Sequence, residues 1–111
     1  MVIIIIIVQL ITKMPQYVIL WNWTDQGIRN VKDAPNRVNT FRTEMEKAGG
    51  KVIGFYYTAG QYDGVAILED PDDETIMSVL LSLGSKGNVR TITLKAFPMD
   101  EAAKIIGKLK E

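Results

Sequence analysis

Cysteine and histidine are both absent from the 111 residues, and each absence removes chemistry. The chain can form no disulfide, no Cys–His or Ser–His–Asp nucleophilic triad, no zinc centre of the usual ligands and no histidine-ligated haem. A charge excess is missing too, since 13 Lys and Arg balance 13 Asp and Glu. Phosphate binding rests on surplus basic side chains, so a neutral chain argues against a nucleic-acid partner. With 47% hydrophobic residues, 4 Pro and 9 Gly, disorder and collagen are excluded. A membrane-spanning helix needs about 20 apolar residues, and the apolar opening is far shorter, so no membrane partner is expected. It also lacks the basic start and small-residue cleavage site of a secretory signal. The default location is therefore the cytoplasm. No cofactor is expected.

What is present is a single domain's worth of chain with one unusual end. Val2 to Val8 is an unbroken β-branched run, followed by Gln9 to Lys13. β-branched side chains favour extended backbone, so residues 1–13 read as an extra apolar strand. They are either an addition upstream of a domain that starts at Met14-Pro15, or a strand that pairs with a sheet edge or a neighbouring chain. Residues 14–111 read as one domain.

Tyr17 to Trp23 predicts a strand, and the polar Thr24 to Lys32 a loop. A helix is expected from Asp33 as N-cap, with Pro35 in its first turn. Val38, Phe41, Met45 and Ala48 form its apolar stripe, and Gly49-Gly50 its stop. Lys51 to Thr58 and Tyr62 to Glu69 predict a hairpin around Ala59-Gly60-Gln61. Pro71-Asp72-Asp73-Glu74 opens a second helix with Ile76, Val79, Leu80 and Leu83 inward and Gly84 closing it. These acidic residues lack the ligand spacing of a calcium loop, and capping accounts for them. Val89 to Phe97 predicts a fourth strand. Asp100 to Leu109 predicts a short amphipathic helix.

This order, a split βαβ repeat, predicts an α+β ferredoxin-like sandwich with a four-stranded antiparallel sheet and two helices on one face. Tyr17, Ile19, Trp21 and Trp23 share one side of the first strand, with Val18 and Leu20 on the other. Ile53, Phe55 and Tyr57 oppose Val52, Gly54 and Tyr56. Neither side alternates to polar residues as a water-facing side should. Two helices cover one face, and an apolar patch of several hundred Å² is seldom left bare. A second copy of the chain is the expected cover, giving a two-fold, sheet-on-sheet homodimer or higher homo-oligomer; the alternative is that the terminal helix or the isoleucine strand does part of that job within the monomer.

Several strings carry a further likeness: Asn22-Trp23-Thr24-Asp25-Gln26-Gly27, Gly54-Phe55-Tyr56-Tyr57, Gly60-Gln61-Tyr62-Asp63, Pro71-Asp72-Asp73-Glu74 and Gly87-Asn88-Val89-Arg90-Thr91. Together, from Met14 to about Leu109, they resemble the GYD-domain family of the dimeric α/β-barrel superfamily. In this chain Gln61 separates Gly60 from Tyr62 and Asp63. The resemblance implies a ferredoxin-like subunit and an oligomer. It implies no particular reaction.

The residues offer a few chemical handles. Trp21 and Trp23, with Tyr56 or Tyr57 nearby, either grip a planar organic molecule or fill an intersubunit core. Tyr62-Asp63 flanks the tight turn, where Asp63 serves as a base or accepts turn amides. Arg90, in phase with Ile92 and Leu94, wants a counter-ion such as Asp63, Asp25 or a ligand carboxylate. Ser85-Lys86-Gly87-Asn88 sits at a helix C-terminus and is rejected as a nucleotide site. The ligand-binding candidates are therefore Trp21, Trp23, Tyr56, Tyr57, Tyr62, Asp63 and Arg90. The leading function is an oligomeric module that binds or senses a small organic ligand. The alternatives are a cofactor-free monooxygenase- or isomerase-like enzyme and a purely structural assembly protein.

Overall fold

The computed structural model describes residues 14–110, so the strand expected over residues 1–13 lies outside the described residues. Strand β1 is Gln16–Trp23. A short helix α1 (Asp25–Arg29) and a 3-10 turn (Val31–Asp33) follow, then α2 (Ala34–Lys47). The hairpin is β2 (Lys51–Tyr57) and β3 (Gly64–Glu69). Helix α3 (Asp73–Ser85), strand β4 (Val89–Ala96) and helix α4 (Met99–Ile106) complete the chain. The strands form one antiparallel sheet in the order β2-β3-β1-β4. This is the expected α+β ferredoxin-like arrangement, with α2 and α3 packed on one face of the sheet.

Alternation along β1 decides what goes under the helices. Tyr17, Ile19 and Trp21 are buried, and they pair across the sheet with Leu68, Ala66 and Gly64. Phe41 and Met45 of α2 and Ile76 and Val79 of α3 close over them. Met45 and Leu68 are wholly buried, each worth about 2 kcal/mol of apolar transfer.

The outward side differs in kind. Val18 and Leu20 alternate out, pairing with Leu94 and Ile92 of β4, which are 47% and 48% exposed. Tyr56 joins them from β2. No described helix covers this face, so its apolar character is as the alternation predicted.

Four local expectations need correction. The loop expected over Thr24 to Lys32 is mostly helical, because Thr24 caps α1 by accepting a hydrogen bond from the Gly27 amide at 3.1 Å. Asp33 precedes α2 without capping it. The 3-10 turn runs straight into the helix and leaves Asp33 with near-helical backbone angles, so its carboxylate accepts from Asn36 Nδ2 instead. Ile53 does not share a face with Phe55 and Tyr57. A register shift between Val52 and Gly54 puts Val52 inward with Phe55 and leaves Ile53 exposed. Strand β3 begins at Gly64, not Tyr62, because the turn is held by Thr58 donating from N to Asp63 O and from Oγ1 to Tyr62 O. The second helix is capped as expected, Asp72 accepting from the Thr75 amide at 2.8 Å. It runs one residue past Gly84, and the left-handed position is Gly87 at φ +81°.

One carboxyl is set apart. Asp70, at the end of β3, is fully buried, and neither of its oxygens meets a donor in full hydrogen-bond geometry. Burial pushes its pKa up, the Asp72 charge adds to that, and the Asp72 amide offsets only part. The folded state thus holds this proton more tightly than the unfolded chain. Stability should fall as pH rises from the ordinary carboxylate range, about pH 4, through the folded value. Asp72 and Asp73 have lowered values and act at lower pH, in the opposite sense. Urea midpoints should therefore decline above about pH 4 in the native chain, and Asp70→Asn should flatten that decline. An unchanged slope in the variant would remove Asp70 as its source.

Candidate functional site

An open cavity of about 430 Å³ lies between the sheet and α2. Its floor is aromatic. Trp21 stacks on Phe55 with ring centres 5.7 Å apart and planes at 28°, and Trp23 stacks on Tyr57 at 6.0 Å and 26°. The remaining contacts among these rings are edge-on, so the cluster forms a herringbone surface. The apolar wall facing it comes from Ala34, Val38 and Phe41 of α2 together with Leu83 of α3. Asp33, Asn36, Arg37, Thr40, Lys86 and Asn88 supply its polar lining.

Two glycines make this geometry possible. A Cβ on Gly64 would stand 2.0 Å from Trp21 Cζ2, so the indole can lie flat on β3 only because position 64 is bare. A Cβ on Gly27 would stand 1.9 Å from the Asn88 carbonyl oxygen. That contact seats α1 against the turn before β4. Thr24 N donates to Asn88 O at 3.0 Å, Thr24 Oγ1 donates to Gly87 O at 2.6 Å, and Gln26 Nε2 donates to Lys86 O and Asn88 Oδ1, both at 3.0 Å. Arg37 fastens the other side, donating from Nη1 to Asn30 O at 2.8 Å and from Nη2 to Gly27 O at 3.2 Å. The polar strings around positions 22–30 and 85–88 thus lock together and hold the cavity mouth.

The structure gathers only part of the candidate set. Trp21, Trp23 and Tyr57 meet on the cavity floor. The tryptophans lie beneath the helices, so they do not form the core of a sheet-on-sheet interface. Tyr56 points to the outer face and is 57% exposed. Arg90 also faces outward, paired across β4 with Asn22, so the sheet separates it from Trp21. Among the described residues neither Asp63 nor Asp25 forms an ion pair with it. Tyr62 is half-buried in the turn. Asp63 accepts from the Trp23 amide at 2.9 Å and from Asn22 Nδ2 at 3.3 Å, which spends its carboxylate on joining the turn to β1.

Sequence reasoning missed Phe55, Arg37, Lys86 and Asn88 as cavity residues. Arg37 carried a readable signal: it lies four residues before Phe41, a cation inside the apolar stripe of α2. The placement of Lys86 and Asn88 came from the packing of α1, which no periodicity announces.

A second cavity of about 410 Å³ opens between α3 and β4, and Tyr17 is the one aromatic side chain in its lining. Tyr17 donates to Asp73 Oδ1 at 2.5 Å, and Lys95 Nζ reaches the same oxygen at 3.3 Å. Burial first, then the Asp73 contact, holds the Tyr17 proton far above the usual phenol range. The Tyr17 bond, then Lys95, holds Asp73 below the carboxylate range. This network ties α3 to the sheet.

Among the described residues no helix is long and apolar enough to cross a membrane. The chain is 35% identical over 98 residues to a Thermus thermophilus protein named as a glutamine synthetase and cystathionine beta-lyase binding protein, covering 87% of this chain and 100% of that one. Among solved structures it resembles MtbAldR, with a TM-score of 0.54 and 17% identity over 82% of this chain; it spans 57% of that protein's length. A solved Thermus thermophilus protein is 26% identical over 77% of this chain and 95% of that one, with a TM-score of 0.48. The GYD domain matches residues 17–106, so this chain belongs to the GYD-domain family.

Proposed function

We propose that this chain is a binding module of the cytoplasm whose aromatic cavity holds a small planar organic molecule. The observation that carries the reading is the open space above Trp21, Trp23, Phe55 and Tyr57. Its size falls in the range of ligand sites, and large flat rings with few polar groups are the usual lining of such sites. The candidate base Asp63 is already bonded to Trp23 and Asn22 and stands off the cavity, which favours binding over catalysis. An open cavity also weighs against a purely structural role.

The test uses indole as the probe. With two tryptophans in the chain, a nitrogen–proton spectrum shows two indole N–H signals. Saturating indole should move both, and Trp23→Ala should weaken indole binding about tenfold through lost ring contact. Signals that stay fixed at millimolar indole would remove the reading.

A protein-docking role joins this one. The outer face, uncovered by any described helix, with Ile92, Leu94 and Tyr56, and the exposed Ile105, Ile106 and Leu109 at the C-terminal end are apolar surfaces for a partner. A second copy covers the sheet face in this reading, and a metabolic enzyme is a further partner, by likeness to the relative's name. Sedimentation should show a particle of at least twice 12.4 kDa. A monomer would remove the second copy as the cover.

A further inference from the structure

We infer that residues 2–8 of this chain lie along the outer edge of β4 as a fifth strand. This goes beyond the ligand reading and does not depend on it. In the sheet order β2-β3-β1-β4, strand β4 has β1 on one side and no neighbour on the other among the described residues. Such an edge offers unpaired N–H and C=O groups, and folded chains commonly cover it. Apolar side chains stand on both flanks of this one. On the helix side lies the second cavity, where Met77 and Leu81 of α3 stand across from Thr91 and Thr93 of β4. Met77 and Leu81, one turn apart, form an exposed apolar row beside the buried row of Ile76 and Val79. On the outer side Ile92 and Leu94 are exposed.

The occupant is named by its pattern. A strand with one side in water alternates apolar and polar residues, whereas a strand covered on both sides is apolar throughout. Val2 to Val8 has no polar residue at any position. Extended, it sends Val2, Ile4, Ile6 and Val8 to one side and Ile3, Ile5 and Ile7 to the other. One set meets the cavity and the other meets Ile92 and Leu94. Seven residues span about 23 Å and the 8 of β4 about 26 Å, so the lengths agree. The join fits as well. β1 starts at Gln16, opposite Ala96 at the end of β4. The outer edge is two strand spacings from there, about 10 Å, and Gln9 to Lys13 reach about 16 Å. The run then lies parallel to β4, with Val2 at the Val89 end. The opposite edge, β2, is interrupted by its bulge after Val52 and suits a strand less well.

Backbone hydrogen exchange in the full chain tests this. Alternate amides of β4 point to β1, and the others point to the outer edge. Both sets should exchange slowly in the native chain. Ile5→Pro, which removes an N–H from the added strand, should speed the outward set about tenfold. The inward set should stay slow, which shows that the sheet is intact. Fast outward amides in the native chain would overturn the proposal. Slow outward amides that ignore Ile5→Pro would overturn it too, by assigning the edge to another occupant. Because the chain has no cysteine, Val2→Cys carries a single spin label. It should broaden the signals of Val89 to Thr91 most, and those of β2, about 19 Å away, least. Broadening of an isotope-labelled native chain refolded with the spin-labelled one would make the occupant a second copy and overturn the same-chain assignment.

Discussion

A Gly64→Ala protein is expected to lose about 3 kcal/mol of stability and its aromatic cavity in the same step. The added methyl would sit 2.0 Å from Cζ2 and 2.1 Å from Cε2 of Trp21, far inside van der Waals contact. The indole must then rise off β3. Around it lie Trp23, Phe55 and Tyr57, at 5.2, 5.7 and 5.7 Å centre to centre. Displacing one ring therefore disturbs all of them, and the space that Trp21 vacates is not the space it invades. Urea denaturation reads the stability loss, and near-ultraviolet circular dichroism reads the ring packing. A variant with native dichroism and less than about 0.5 kcal/mol of loss would show that Trp21 does not lie where the structure puts it.

Gly27→Ala should cost a similar amount, about 3 kcal/mol, by a route with even less give. Here the obstacle is backbone: the Asn88 carbonyl oxygen at 1.9 Å and its carbon at 2.8 Å. That carbonyl accepts from the Thr24 amide, so it cannot turn aside without breaking the bond that closes β1 onto the turn before β4. The expected result is α1 lifted from the body, with Gln26 losing Lys86 and Asn88. Hydrogen exchange should accelerate at the amides of Thr24 and Gly27 well before the core opens. Protection equal to the native chain would contradict this picture of the interlock.

The two substitutions also show where sequence reasoning reached and where it stopped. The strands, the two long helices, the apolar character of the sheet's outer face and the shared side of Trp21 and Trp23 were all legible, because each rests on a period of two or of three to four. Asp72 as a cap was legible from its place before an apolar stripe. The bulge at Ile53 was not, since nothing in Lys51 to Tyr57 announces an extra residue, and it decides that Val52 turns inward with Phe55. The short helix α1 was hidden because Thr24-Asp25-Gln26-Gly27 reads equally as a turn; only the seat offered by Asn88 distinguishes them. Arg90 misled for a related reason. Its phase with Ile92 and Leu94 was right, but which face the helices cover is a tertiary fact, and it placed Arg90 and Trp21 on opposite sides of the sheet.

The functional reading inherits that division. The aromatic residues could be named from the chain alone, yet their meaning depended on α2 standing off the sheet and leaving a space. Arg37 gained its meaning in the same way. On a helical wheel it is a lone cation near an apolar stripe, and in the folded chain its guanidinium fastens α2 to the Asn30 and Gly27 carbonyls.

The most direct measurement is a crystal of this protein soaked with indole and inspected for density over the floor formed by Trp23 and Tyr57. A flat ring in the cavity, between that floor and Phe41 of α2, is the predicted result. Rings closed against α2, with no density there at saturating indole, would contradict the account.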